Sequence, residues 1–284
     1  MEGIERMKRT KEKNVREKPV CSKEHLRYLS KLKKRTAIVQ AVRFAVLALL
    51  LLFWELAARF EWVNPFITSS PSRIAKTIGD LYENGSLFHH VGTTLWETLL
   101  GFFLAVVFGY AIALALWWSE LFRKISEPYI VVLNALPKIA LGPLVIIWCG
   151  TGSKAIVCIT VLIGLIVAIL NMLSGFMATD ENKLLLLKSM GASKLQILTK
   201  LVIPSSLPAF ISMLKINVGM AWIGSIMGEY IVSKAGIGYL IVYGGQVFKL
   251  DLVMASVFIL CVLAAGMYAL VALLEKLVVK NASK

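Results

Sequence analysis

Three stretches of this sequence contain no Asp, Glu, Lys or Arg and are long enough to cross a bilayer as helices. They cover residues 98–119, 155–179 and 252–274, and residues 45–54 form the charge-free centre of another. A helix needs roughly 20 apolar residues to cross about 30 Å of hydrocarbon. Hydrophobic residues make up 58% of the chain, above the roughly 45–50% usual in soluble domains. The pattern predicts an all-α, polytopic membrane protein.

Charge asymmetry orients the predicted membrane helices. About six spans are expected, at residues 37–59, 94–118, 129–149, 155–176, 209–231 and 252–274. With the N-terminus inside, the cytoplasmic segments hold 22 of the 31 Lys and Arg residues, and the outer segments hold 5. This bias follows the positive-inside rule, so both termini are expected in the cytoplasm.

The predicted organisation has a membrane domain between two tails. Residues 1–36 form a basic cytoplasmic tail, 37–275 the transmembrane domain with a cytoplasmic loop at 177–208, and 276–284 a C-terminal cytoplasmic tail. The first 35 residues hold 13 of the Lys and Arg residues. Such a tail fits a role in orienting the first span and touching anionic lipid. A nucleic-acid-binding tail is the alternative.

Two loops on the expected outer side carry helix signals. The loop at 60–93 contains "SSPSR", in which Ser72 is a plausible N-cap of a short amphipathic helix. The loop at 232–251 mixes apolar residues with Gly236, Gly238, Gly244 and Gly245. We expect it to form a half-buried or re-entrant helix lying against the spans.

The cytoplasmic loop contains the sequence "SMGASKLQILTKLVIPSSLPAF", residues 189–210, which is amphipathic and interrupted by glycine and proline. Residues 184–187 predict a first short helix, which Gly191 can close in a left-handed conformation. Ser193 can cap a second helix. Pro204 and Pro208 are expected to end that helix, because proline lacks the amide hydrogen that a helix interior requires. The loop therefore predicts two short helices joined by a sharp turn.

The second short helix is expected to present one broad apolar face. The residues of that face are Leu195, Ile197, Leu198, Leu201 and Val202. The small residues Gly191, Ala192 and Ser193 at the tip would let another protein approach closely. The alternative is a helical hairpin packed on the chain's own spans.

The stretch "MGASKLQILTKLVIPSSLP" resembles the coupling loop of the permease subunits of bacterial ABC importers. Three further stretches, at 69–116, 134–152 and 228–241, resemble the nitrate/sulfonate/taurine-type members of that family, and the resemblance covers about residues 65–275. It implies a type I ABC importer permease fold in the bacterial inner membrane. One departure is that Leu185, Leu186 and Leu187 stand where the family usually has Glu-Ala-Ala, so we expect a more apolar docking surface.

The resemblance also implies partners. They are a dimer of ATP-binding subunits, a second permease copy or paralogue, and an extracytoplasmic solute-binding protein. No cofactor is expected on this chain, because ATP would be bound by the partner, and the chain itself would not be an enzyme. The residues implied in ATPase coupling are Met190, Gly191, Ala192, Ser193, Leu195 and Pro204.

Polar groups inside predicted spans are candidates for a translocation pathway, because burying them in lipid is costly. The candidates are Asn134, Pro137, Lys138, Asn171, Asn217 and Glu229. The sequence "NALPKIALGP" in the third span is expected to break the helix and expose backbone carbonyls to a cavity. Gly224 and Gly228 form a GxxxG pair that permits close helix approach, so ordinary packing competes with pore lining there.

Other chemistries find little support in the sequence. The chain has no GxxxxGK[ST] nucleotide loop, and "GTGSK" at 150–154 has the wrong order. Cys21, Cys149, Cys158 and Cys261 are scattered, and their spacing indicates neither a disulfide framework nor a metal site. The expected function is import of a small solute, either a nitrate-, sulfonate- or taurine-like anion or a small heterocyclic vitamin precursor. A secondary transporter or channel without an ATPase is the alternative.

Overall fold

The computed structural model describes residues 23–282, which are helical almost throughout. In chain order the helices are α1 (Lys23–Arg59), α2 (Pro65–Thr68), α3 (Pro71–Glu83), α4 (Ser86–Trp118), α5 (Glu120–Ala135), α6 (Gly142–Cys149), α7 (Ser153–Met177), α8 (Glu181–Ser189), α9 (Lys194–Ile197), α10 (Ile203–Ser205), α11 (Leu207–Val232), α12 (Ile237–Gln246) and α13 (Leu250–Ala282). A 3₁₀ turn at Lys138–Leu141 precedes α6, and a π-helical turn at Leu198–Val202 precedes α10. The all-α expectation is confirmed for the described residues.

The chain divides into two units, residues 1–60 and residues 61–284. The first unit contains α1, whose Lys34–Arg59 part is apolar enough to cross a membrane. Within α1, Arg59 pairs with Glu55 at 3.0 Å. The predicted basic tail ends inside this helix rather than before it, and its residues 1–22 lie outside the described part of the chain.

Among the described residues of the second unit, four further helices are long and apolar enough to cross a membrane: Ser86–Trp118, Ser153–Met177, Leu207–Val232 and Leu250–Leu277. They correspond to four of the predicted spans. The last helix, α13, continues to Ala282, so the predicted C-terminal tail begins as a continuation of this helix.

The third predicted span, residues 129–149, is not one continuous helix. Its residues belong to α5 and α6, which are bent by 89° at the break between them. Leu136 adopts an extended conformation, φ −65° and ψ 137°, as expected for a residue that precedes proline. Pro137 lacks an amide hydrogen and cannot continue α5. The expected break is confirmed, and a bent pair of this kind is either a broken span or a re-entrant loop.

The core of the second unit is a three-helix contact of α4, α7 and α11. Thr160 of α7 lies between Gly101 of α4 and Gly224 of α11. A Cβ added at Gly224 would lie 2.6 Å from the Cα of Thr160, and one added at Gly228 would lie 3.0 Å from the Cα of Ile156. The GxxxG pair therefore serves close helix packing within the subunit.

The two loops predicted to carry helix signals are helical. In the first, α3 is capped by Ser70, whose hydroxyl accepts a hydrogen bond from the Arg73 amide, and Pro71 follows in the first turn. The predicted cap at Ser72 was wrong. Proline favours the first helical position, so the helix begins at Pro71 and the residue before it, Ser70, is the cap. In the second, α12 is half-buried as expected, with Ile237 fully enclosed.

Candidate functional site

The segment from α8 to α10, residues 181–205, is called the elbow here. Helix α8 is capped by Asp180 at its start and by Met190 at its end. Gly191 follows with φ +76°, its amide donates to the Lys188 carbonyl at 3.0 Å, and the Ala192 amide donates to the Leu187 carbonyl at 3.0 Å. This is the Schellman motif, which needs a left-handed residue at the Gly191 position. The predicted glycine turn is confirmed.

The second half of the elbow begins with a capping box. The Ser193 hydroxyl accepts from the Gln196 amide at 3.3 Å, and the Gln196 side chain accepts from the Ser193 amide at 2.8 Å. Two amides that would otherwise lack partners at the helix start are satisfied in this way. The predicted cap at Ser193 is confirmed.

The expectation that Pro204 ends the second helix was wrong. Helical backbone runs from Lys194 to Ser205 through the π-helical turn, in which the Ile203 amide bonds to the Leu198 carbonyl. The wider turn shifts the hydrogen-bond pairing just before Pro204, which lies at the start of α10, where an amide hydrogen is not needed. Pro208 lies in the first turn of α11.

One side of the elbow packs on the membrane helices. Ile197, Leu198 and Val202 are buried in a cluster with Phe176 of α7 and Met213 of α11. The predicted apolar face is therefore largely correct. Leu195 does not belong to it, because this side chain is 59% exposed.

Lys194 fastens the elbow to the end of α4. Its ammonium group donates a hydrogen bond to the Trp118 carbonyl and lies 5.3 Å from the ring centre of Trp118 and 6.0 Å from that of Trp117. A cation near the C-terminal end of a helix and over an aromatic face is favourable on both counts. The elbow therefore has a defined position relative to α4.

The other side of the elbow carries exposed apolar side chains. Leu185 is 66% exposed, Leu186 60%, Met190 74% and Leu195 59%. Clustered exposed apolar residues mark interaction surfaces. Two of them belong to the leucines that replace the usual Glu-Ala-Ala. Of the predicted coupling residues, Met190, Gly191, Ser193, Leu195 and Pro204 are exposed, and Ala192 is half-buried.

The structure brings together three of the predicted pathway residues. Asn134, Pro137 and Lys138 lie at the bend between α5 and α6, where the Lys138 ammonium donates to the Asn134 carbonyl at 3.1 Å. Asn134 and Pro137 are exposed and Lys138 is half-buried. At the end of the broken helix a backbone carbonyl thus accepts a hydrogen bond from a lysine ammonium group.

The other predicted pathway residues lie apart from the bend. The Asn171 amide donates to the Val167 carbonyl of its own helix at 2.8 Å. Asn217 is 1% exposed and Glu229 2% exposed, both inside the subunit. The Asn217 amide group donates to the Met213 carbonyl at 3.1 Å and lies against Gly164, where a Cβ would be 2.9 Å from its oxygen.

Glu229 belongs to a group of side chains that holds the start of α12, called the α12 junction here. The Gly236 amide donates to His90 Nδ1 at 3.0 Å, the Ile237 amide to Thr94 Oγ1 at 2.7 Å, and the Gly238 amide to Glu229 Oε2 at 2.6 Å. The first amides of a helix have no partners within that helix. Here α4 and α11 supply the acceptors, so the junction ties three helices together.

We expect Thr94→Val to destabilise the subunit by about 2 kcal/mol, because the buried Ile237 amide loses its acceptor while side-chain volume is kept. The matched control is Thr93→Val. The Thr93 hydroxyl is exposed and bonds to the His89 carbonyl of its own helix. Thermal unfolding of the detergent-solubilised protein measures both. Equal unfolding temperatures for the two variants would contradict the capping role of Thr94.

Sequence reasoning missed Glu97, which is 1% exposed. Its carboxyl group contacts Ser153 of α7 and Glu229 of α11, and its Oε2 has no hydrogen-bond partner among the described residues. The signal was present, since Glu97 lies inside the predicted second span. It directly precedes the charge-free stretch that begins at Thr98.

Comparison with known proteins gives the class of this site. Residues 105–283 match the family described as "Binding-protein-dependent transport system inner membrane component". The chain belongs to this family, and it is a permease subunit of the ABC importer type. The several membrane-spanning helices described above agree with a multi-pass membrane protein of this family.

Three similar relatives are permeases. A probable ABC transporter permease protein of Haemophilus influenzae is 31% identical over 78% of this chain and 90% of its own length. The formylaminopyrimidine transport permease protein ThiX of Halalkalibacterium halodurans is 31% identical over 81% of this chain and 91% of its own. The taurine transport system permease protein TauC of Escherichia coli is 25% identical over 82% and 88%.

Solved structures show the same fold. The chain matches a bacterial ABC transporter involved in alginate import with a TM-score of 0.61 and 13% identity, over 88% of this chain and 98% of the other. It matches the inward-facing MetNI methionine ABC transporter with a TM-score of 0.58 and 18% identity, over 69% and 95%. The expected type I importer permease fold is confirmed.

Proposed function

We propose that this permease is driven by a separate ATP-hydrolysing subunit that grips the elbow. The observation that carries the proposal is the elbow's two-sided character. Ile197 and Leu198 are buried against the membrane helices, while Leu185, Leu186 and Met190 are exposed. A segment that packs on its own membrane helices with one side and exposes apolar side chains on the other can bind in a cleft of a partner protein. The predicted coupling residues Gly191, Ala192 and Ser193 form its turn.

The contacts of the elbow suggest how movement would reach the membrane helices. Lys194 joins the elbow to the end of α4, and Val202 and Ile197 pack against α7 and α11 through Phe176 and Met213. Displacement of the elbow by the ATPase would therefore act on all three helices of the core. Two discrete packings of these helices would give inward- and outward-facing states.

The proposed orientation places both chain termini and the elbow in the cytoplasm, as the distribution of Lys and Arg favours. The α12 junction then lies at the outer side, where an extracytoplasmic binding protein would deliver its solute. A second copy of this chain, or a paralogue, would complete the pathway.

Within the pathway the bend between α5 and α6 is the proposed lining. At this bend Asn134 offers an exposed polar side chain beside the exposed Pro137, the Lys138 ammonium group is on a half-buried residue, and Asn171 is partly accessible. Asn217 and Glu229 would reach the solute only if α11 moved away from its neighbours. The proposed solute is a taurine- or sulfonate-like anion or a small heterocycle, in keeping with the relatives named for taurine and formylaminopyrimidine transport.

Solute uptake by cells or vesicles distinguishes this proposal from a secondary transporter or channel. Uptake is expected to stop when ATP is depleted while the membrane potential and proton gradient are maintained. It is expected to continue when a protonophore collapses the proton gradient at constant ATP. The reverse pattern would show an ion-coupled transporter, and uptake insensitive to both would show a channel.

A further inference from the structure

Two cysteines that are nine positions apart lie against each other in the second unit. Cys149 is the last residue of α6, and Cys158 lies in the second turn of α7. The Cys149 thiol donates to the sulfur of Cys158, with 3.2 Å between the two sulfur atoms. The scattered spacing of the cysteines in the sequence gave no sign of this pairing.

The pair is reachable by a small molecule. Both side chains are half-buried and line one cavity of about 460 Å³ together with Trp96, Leu100, Ser153, Lys154 and Val157. A thiol that faces a cavity can meet a reagent, whereas one enclosed in a packed core is inert. Geometry and access therefore coincide at this pair.

We propose that Cys149 and Cys158 form a reversible disulfide, a modification site in the α6–α7 contact. A disulfide holds its sulfur atoms about 2.05 Å apart, so the two sulfurs must approach by about 1 Å. Cys149 is the last residue of α6 and directly precedes the short connection at 150–152, and Cys158 lies in the second turn of the helix that follows it. Side-chain rotation with a small movement of the end of α6 brings the sulfurs together.

The reaction balances with a low-molecular-weight disulfide as the oxidant. One thiol loses its proton and attacks a sulfur of the oxidant, which releases one small thiol and leaves a mixed disulfide. The other cysteine then displaces the second small thiol and forms the Cys149–Cys158 bond. The protein loses two hydrogen atoms, and the oxidant is reduced to two thiols. Excess small thiol runs the sequence backwards.

The bond would join the end of α6 to α7. Cys149 is at the end of α6 that is far from the bend at Pro137, and Cys158 belongs to the helix at the centre of the three-helix core. Oxidation would thus add a covalent link between α7 and the end of α6 that leads into the connection at 150–152. This consequence follows from the geometry of the second unit and does not depend on the partner ATPase or on orientation.

Counting reactive thiols tests the proposal. Membranes containing the full chain are treated with the azo oxidant diamide, denatured in detergent and labelled with a maleimide of known mass. The chain has four cysteines. Without diamide and with its cysteines reduced, the chain is expected to take four labels. After diamide treatment it is expected to take two. Reduction with a phosphine before labelling is expected to restore four.

Cysteine variants identify the pair. Cys149→Ser and Cys158→Ser are each expected to take three labels with or without diamide, because the remaining cysteine has lost the thiol that it contacts in the structure. Cys261→Ser is expected to fall from three labels to one. Four labels after diamide on the unaltered chain would overturn the proposal. A diamide-dependent loss that persists in Cys149→Ser would overturn it as well, since another pair would then be responsible.

Discussion

Replacing Gly191 with valine is expected to lower ATP-dependent solute uptake by about tenfold, while the amount of subunit in the membrane stays unchanged. Gly191 has φ +76°, and a side chain in the left-handed conformation costs roughly 1–2 kcal/mol, which corresponds to about a tenfold change in an equilibrium. A Cβ at this position would meet nothing within 4 Å among the described residues. The expected defect therefore lies in the turn itself and not in a clash.

The matched variant is Gly191→Asn, because asparagine tolerates the left-handed conformation better than other residues with side chains. It is expected to retain most of the uptake. Uptake at fixed ATP, divided by the amount of subunit in the membrane, measures both variants. If Gly191→Val transported as fast as Gly191→Asn, the turn would have no part in coupling.

Replacing Gly224 with valine is expected to destabilise the subunit by about 3 kcal/mol, the upper end of the cost of overpacking a core. A Cβ at Gly224 would lie 2.6 Å from the Cα of Thr160, so α7 and α11 would have to move apart. In a domain of this size the unfolding temperature is expected to fall by about 6–12 °C. Thermal unfolding in detergent measures the change.

Gly219→Val is the control for this substitution. Gly219 lies on the same helix, and a Cβ there would meet nothing within 4 Å in the described part of the chain. Its unfolding temperature is expected to match that of the unaltered protein closely. A comparable fall in both variants would mean that helix propensity, and not the contact with Thr160, sets the stability at these positions.

The parts of the fold that could be predicted depend on local chemistry. The hydrogen bonds of the turn at Gly191 and of the cap at Ser193 join residues that are only a few positions apart. The local sequence is therefore sufficient to predict both. The six apolar segments follow from hydropathy alone, and the break at Pro137 follows from a missing amide hydrogen. The cap at Ser70 also follows from local chemistry, because proline favours the first helical position and Pro71 comes directly after Ser70.

The parts that could not be predicted depend on contacts between distant residues. The Ile237 amide finds its acceptor on Thr94, which is 143 positions away. The pairing of Cys149 with Cys158 depends on how α6 packs on α7. The exposure of Leu195 depends on which side of the elbow meets the membrane helices. Periodicity marks a face as apolar without saying which of its residues a neighbour will cover.

Chemical cross-linking from the elbow tests the central claim most directly. The variant is Met190→Cys, at a side chain that is 74% exposed, and its cysteine is chemically cross-linked to neighbouring proteins in intact membranes. The control is Phe248→Cys, which lies on the opposite side of the membrane in the proposed orientation. We expect the cysteine at position 190 to capture a separate ATP-hydrolysing protein in an amount that depends on ATP, and the cysteine at position 248 not to capture it. Capture of no such protein from position 190, in membranes where ATP drives uptake, would contradict the proposal that an ATP-hydrolysing subunit grips the elbow.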